Sequence, residues 1–307
     1  MDGRSLEFGF FPRRLELAAG DIRISPLPNF AEVQSELLHE NDLIDNDWLY
    51  APLQRTRDLF CNGTRLRPYS SRIFGLPKTH LLTHAHSDDR DQLTFLVWAL
   101  SLFTGIRLTT EEAGFLDATP ITQGKLVDYH IRDTSLVKAI ELAEEFWNQN
   151  VNHPRRAQRF AAAIHSLFLG QNPQLLQFEQ FIYAYTALDA CFAIAKEIFP
   201  LPREHLPHAN RLSWMCNTFG VPVPAWAKPQ QSEQAKIATV RNDALHEGLF
   251  FDQPFGFAIQ AEGFDTYMPQ QMSCLCTRLL IAIIGASDAE YINSTVDSRQ
   301  MHLLDLT

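Results

Sequence analysis

Nowhere in the 307 residues is there a run of about 18 apolar side chains, the length a helix needs to cross a bilayer. The opening stretch, MDGRSLEFGFFPRR, carries neither a basic segment leading into a long apolar run nor a small-residue cleavage signature. The expectation is a soluble, cytoplasmic protein with no membrane partner. Cysteine is scarce and unpaired in pattern: Cys61, Cys191, Cys216, Cys274 and Cys276 form no CxxC, and an odd count suits reduced thiols better than a disulfide framework. Positive charge is also short. A net charge of −10 excludes a protein that coats nucleic acid by long-range attraction, so any RNA contact has to be local. The chain has no GxGxxG, GxxxxGK[ST] or GxSxG stretch, which leaves dinucleotide-binding, P-loop and serine-hydrolase readings without a motif, and no cofactor is implied. Internal repeats and low-complexity tracts are missing too.

What the chain does have is 46% apolar residues, enough over this length for one or two cores, and two domains are expected. Residues 6 to 25 alternate apolar and polar positions around turn residues and predict short antiparallel strands, with further short strands at DWLYAP and RIFGLP. Helical spacing then dominates, over 88–104, 132–149, 155–169, 174–199, 208–219, 232–247 and 269–286. The polar stretch NQNVNHPRR suggests a break. The fold class expected is therefore mostly α, with a smaller α+β domain over 1–150 and a helical domain over 151–307. A strand pair or ordered loop is expected at LFFDQPFGFAIQAEGFD.

The segment LLTHAHSDDRDQL resembles the HxHxDH signature of metallo-β-lactamase-fold hydrolases at His84, His86 and Asp88. Two imidazoles and a carboxylate suit zinc. The final histidine is Asp89 here, however, and the chain runs directly into an apolar helix. The simpler expectation is a polar loop in which Ser87 or Asp88 caps that helix, with no metal. His205 and His208 make a weaker metal pair still.

Chemistry concentrates in TVRNDALHEGLF, residues 239 to 250. Ser232 as N-cap, Glu233 in the first turn and Gly248 as a stop predict a helix over roughly 233–247. At about 100° per residue, Ile237, Val240, Ala244 and Leu245 share an apolar stripe, and Arg241 falls in the middle of it. A buried guanidinium needs a partner or a pocket. The helix over 174–199 has the complementary anomaly, an apolar stripe of Phe178, Ile182, Tyr185 and Phe192 with Asp189 at its centre. Asp189 and Arg241 are therefore expected to meet. Asn242 and His246 lie four apart on a second face lined by Ala235, Ala238 and Thr239. Helix-end carbonyls and Glu247 favour a positive His246, which suits it to give up a proton. On an ideal helix Arg241 and His246 point about 140° apart, so convergence needs a flexible arginine, a loosened last turn or a second protomer. Arg155, Arg156 and Arg159, with Lys236, are the candidates for a local basic patch.

RNDALHEG and the preceding YAYTALDACFAIAKE together resemble the HEPN (higher eukaryotes and prokaryotes nucleotide-binding) domain, most of all its Apea-like group, over about residues 155–290. Arg241, Asn242 and His246 fit the family's arginine-polar-x-x-x-histidine motif, and Asp189 its acidic position. The resemblance implies a dimerising bundle of four or five helices in which the motifs of two protomers face one cleft. It also implies metal-independent endoribonuclease activity, in toxins or antiviral abortive-infection effectors, with Arg241, Asn242 and His246 as the catalytic set. Asp189, Tyr185 and Glu247 would support them. RNA and a second copy of the chain would be the partners, and residues 1–150 would sense a regulatory ligand or protein. The alternative is a HEPN module that dimerises or binds a nucleotide or partner without cleaving. The resemblance does not extend to residues 1–150.

Overall fold

A computed structural model of the chain describes residues 5–39, 43–58, 63–67, 73–111, 114–229, 235–247, 267–296 and 300–306. It is mostly helical, with eight α-helices and short strands among those residues. None of the described helices is long and apolar enough to cross a membrane. The chain divides into two compact units, Met1–Leu126 and Val127–Thr307.

The first unit is built on a four-stranded antiparallel sheet in the order Ser5–Phe8, His80–His84, Ile22–Pro26, Leu17–Ala19. Period-two alternation places Leu17, Ala19, Ile22 and Ile24 inside while Ala18 and Arg23 face out. Shorter antiparallel pairs join Trp48–Tyr50 to Ala118–Pro120 and Ile73–Phe74 to Phe115–Leu116. Phe10, Val33, Phe74 and Phe115 form a buried cluster beside them. Val33 comes from α1 (Phe30–His39), a helix that the sequence pattern did not announce.

His80 opens the inner strand His80–His84 and is fully buried among the rings of Phe8, Phe11 and Phe30 at centroid distances of 5.3 to 5.6 Å. Its Nε2 accepts the Leu15 N–H at 3.2 Å, and its Nδ1 lies 2.9 Å from Thr79 Oγ1. Because an amide can only donate, the ring proton belongs on Nδ1. Burial pushes the imidazole down from its ordinary 6.5 to about 4.

The other end of the same strand carries the histidines of the metal-like motif. His84 is buried and its Nδ1 accepts the N–H groups of His86 (3.2 Å) and Ser87 (3.1 Å). His86 points to solvent beside Asp21, at 3.5 Å. The cap of α2 (Arg90–Thr104) is Asp89, whose Oδ1 accepts the Asp91 N–H at 2.9 Å, rather than Ser87 or Asp88. The carboxylate that breaks the hydrolase signature is the one the helix needs. Gly105, at φ 60°, ends α2 in the left-handed conformation that glycine adopts without strain.

The second unit begins earlier than residue 151. Tyr129–Ile131 pairs in parallel with His302–Leu304, and Ser135 Oγ on α3 (Asp133–Gln149) meets Asp305 and the Leu306 N–H. These bonds tie the start of α3 to the C-terminal strand; the boundary falls at 126/127, and the polar stretch near 150 is only the turn into α4 (Pro154–Leu169). The remaining helices are α5 (Gln177–Ile198), α6 (His208–Phe219), α7 (Lys236–Asn242) and α8 (Met268–Ile283). Phe146 of α3 packs on Phe160 of α4, and Cys191 of α5 meets Cys276 of α8 with sulfurs 4.0 Å apart. Cys191, Cys216, Cys274 and Cys276 are all free thiols; Cys61 lies outside the described residues, as do LFFDQPFGFAIQAEGFD, Ser232, Glu233 and Gly248.

The deepest charge in this unit is Arg278 of α8, with no exposed surface. Its guanidinium bonds Asp128 Oδ2 at 2.7 Å, the Cys274 carbonyl at 2.8 Å and the Ser294 carbonyl and hydroxyl at 3.0 and 2.8 Å. Tyr291 stacks beneath it at 4.5 Å and donates to Asp128 Oδ1 at 2.5 Å. An isolated buried charge would be prohibitive; a paired and fully hydrogen-bonded one is tolerated.

Candidate functional site

The helix of TVRNDALHEGLF does not stay regular. Its α-helical part is Lys236–Asn242, and Asp243–Glu247 continue as a π turn. In an i→i+5 ring, residues five apart come to lie over one another instead of about 140° away. Arg241 and His246 are five apart. The loosened turn brings Arg241 Nη1 to 2.5 Å from His246 Nε2, and the same nitrogen donates to Asn242 Oδ1 at 3.0 Å. The three motif residues thus meet within a single chain.

The wider turn has a second effect. Ile237 remains buried as the apolar stripe requires, and Ala238 of the second face is buried too, but Leu245, expected on the stripe, is 48% exposed. Arg241 and Asn242 are half-buried, while His246 and Glu247 are exposed. A guanidinium can only donate, so in this geometry Nε2 of His246 is the accepting, unprotonated nitrogen. An accepting nitrogen is the form of an imidazole that suits a base, whereas the helix end alone favours the acid.

Asp189 has a different partner from the one expected. Its Oδ1 pairs with Arg211 Nη1 at 3.1 Å, and Arg211 also stacks over Phe192 at 4.7 Å. The sequence pairing of Asp189 with Arg241 overlooked α6, whose His208 and Arg211 stand three apart on the side facing α5. Tyr185, one turn before Asp189, has its hydroxyl 2.7 Å from His208 Nδ1. Burial and the Asp189 charge push the Tyr185 phenol up to about 12, against the pull of Arg241 and Arg211. Burial, with repulsion from Arg211, Arg241 and His205, holds His208 below the usual imidazole range despite Asp189. Arg241, Tyr185, His208, Arg211 and Asp189 are therefore one electrostatic neighbourhood.

No family model, no curated protein and no solved structure matches the chain. What the site can do has to be read from its own atoms. It offers a guanidinium, an imidazole with an accepting nitrogen and an amide side chain on one turn. A neutral phenol and a second imidazole lie nearby. This is a set for binding an oxyanion and moving a proton. Among the described residues no three His, Cys, Asp or Glu side chains are grouped to hold a metal.

The arginine cluster on α4 is engaged elsewhere. Arg156 and Arg159 both clasp Glu197 of α5, Arg156 Nε at 3.2 Å from its carboxylate, and Arg156 also reaches the Glu197 carbonyl at 3.0 Å. Burial pushes the Glu197 carboxyl up, but the hydrogen bonds and charges of Arg159 and Arg156 hold it below the usual range. Arg155 is exposed and Lys236 half-buried. The patch is largely a clamp between α4 and α5.

Proposed function

We propose that the chain is a metal-independent endoribonuclease of the HEPN type, acting as a homodimer through its helical unit, with the first unit sensing a regulatory ligand or protein. The observation that carries this reading is the meeting of Arg241, Asn242 and His246 on the π turn, at 2.5 and 3.0 Å. The match of these residues to the family's motif supports it. In the reaction, the RNA 2′-oxygen bonds to the adjacent phosphorus and the P–O5′ bond breaks; the leaving 5′-oxygen takes a proton from water, giving a 2′,3′-cyclic phosphate and a 5′-hydroxyl end. His246 Nε2 takes the proton of the 2′-hydroxyl. Arg241 stabilises the charge that gathers on the phosphoryl oxygens, and Asn242 holds the guanidinium or an oxygen of the substrate. Tyr185, Asp189 and Glu247 support from the periphery, and a role in toxicity or abortive infection would follow from the activity.

Incubation of wild type and His246→Ala with total RNA and tRNA in excess EDTA tests the reading. Cleavage by wild type and not by the variant is the expected outcome. Equal cleavage by both would overturn it. A second reading, a module that dimerises or binds a nucleotide or partner without cleaving, is favoured by the Asp189–Arg211 pair, which neutralises one of the two arginines internally.

A further inference from the structure

A general base must offer a free lone pair, and Nε2 of His246 does not. Arg241 Nη1 already donates to it, while the same nitrogen also donates to Asn242 Oδ1. The guanidinium is thus held by two acceptors of its own turn. Along its other edge, Nε is buried without a hydrogen-bond partner among the described residues. A buried N–H that lacks an acceptor is an unfavourable arrangement, tolerated when a ligand or a second state relieves it. The edge formed by Nε and one terminal nitrogen is also the edge on which arginine takes a carboxylate or phosphate with two parallel bonds.

We propose that this is a locked state and that a phosphate oxyanion opens it. Arg241 turns from His246 Nε2 to the anion and presents its unfilled Nε edge to two oxygens. That single movement supplies Nε with an acceptor and exposes the lone pair of His246. Asn242 keeps its place on the turn and marks how far the guanidinium travels. The base is silenced by the same arginine that recognises the substrate, so the site becomes competent only where a phosphate is bound. Half-buried Arg241 and exposed His246 leave the anion an approach from the His246 side. The proposal rests on the reading of this turn as a phosphodiester-cleaving site, and adds to it the control of that site by its own substrate class.

The test is an NMR titration of the full-length protein, with 15N-labelled histidine, against inorganic phosphate at pH 8.5 and with sodium chloride at matched ionic strength as the control. In wild type the His246 Nε2 resonance is expected to move with millimolar phosphate and to stay put with chloride. In Arg241→Gln it should start displaced from the wild-type position and not respond to phosphate. The proposal is overturned if the wild-type resonance ignores phosphate, or if chloride moves it equally. Should Arg241→Gln fail to fold, the phosphate and chloride arms on wild type decide alone. The two ideas separate cleanly: RNA cleavage that depends on His246, together with a resonance blind to phosphate, keeps the nuclease and removes the lock. A phosphate response without cleavage keeps the anion-gated contact and removes the nuclease.

Discussion

Lowering the pH should loosen the first unit through His80, and the size of the effect can be worked from its surroundings. The ring is fully buried between Phe8, Phe11 and Phe30, and its Nε2 is already committed to the Leu15 N–H. A second proton would put a charge among aromatic carbons and set two donors face to face. Burial accordingly lowers the imidazole from 6.5 to about 4. At about 1.36 kcal/mol for each tenfold change in proton affinity, that difference is worth about 3 kcal/mol. The direction follows from which state binds the proton. Above pH 6.5 both states are neutral and the contribution is constant. Below it the unfolded chain takes up a proton that the folded chain refuses, so stability falls between about pH 6.5 and 4 and then levels off.

The assay compares wild type with His80→Gln, whose side chain stays neutral throughout, by urea unfolding from pH 7 to pH 4. Hydrogen exchange of peptides covering His80–His84 reads the first unit by itself. Carboxylates titrate in both proteins, so the difference between them isolates His80. The variant should be less stable at pH 7, and the gap should shrink by about 3 kcal/mol by pH 4. Parallel pH profiles, or a His80 ring signal that titrates near 6.5 in the folded protein, would refute the reasoning.

Other perturbations separate structural from functional charge. Arg278→Ala strands Asp128 among buried groups and should cost roughly 3–5 kcal/mol in denaturant unfolding; adding Asp128→Asn should cost much less than the sum of the two single changes. Arg241→Ala removes a guanidinium whose Nε has no partner among the described residues, and should lower stability by less than about 1 kcal/mol in a thermal melt while abolishing RNA cleavage. Arg211→Ala loses both the Asp189 pair and the stacking on Phe192, and should cost about 1–2 kcal/mol. Asp89→Ala uncaps α2, for a loss of about 1 kcal/mol on the same melts.

The long helices could be read from the chain because their apolar faces repeat over many residues. The periodicity of 132–149, 155–169 and 208–219 places α3, α4 and α6 within a residue of where they lie. Alternation over residues 6 to 25 announced short antiparallel strands without their bounds, and the hairpin at Leu17–Pro26 lies there. Features set by contacts between distant segments were hidden. Nothing near Tyr129 signals that it pairs with His302, and nothing near Asp128 names Arg278 as its cation. In the candidate site, the stretch RNDALHEG drew attention through an arginine on an apolar face, yet it does not encode the π turn that resolves the 140° divergence. The Asp189 anomaly was visible and its partner was not, because any buried cation within reach would have served. His208 with Arg211, three apart on one helix, was the available clue.

The parallel pairing of Tyr129–Ile131 with His302–Leu304 sets a schedule for the chain as it is made. At about 5–20 residues per second, the first strand leaves the ribosome roughly 10–30 seconds before its partner exists. Through that interval Asp128 lacks Arg278, and Ser135 lacks Asp305 and Leu306. The first unit, whose strands all lie within residues 5–120, can close during the wait. The helical unit can gather its helices but cannot seal its edge. α7, at residues 236–242, is made within that interval, before the strand that closes the edge of its unit.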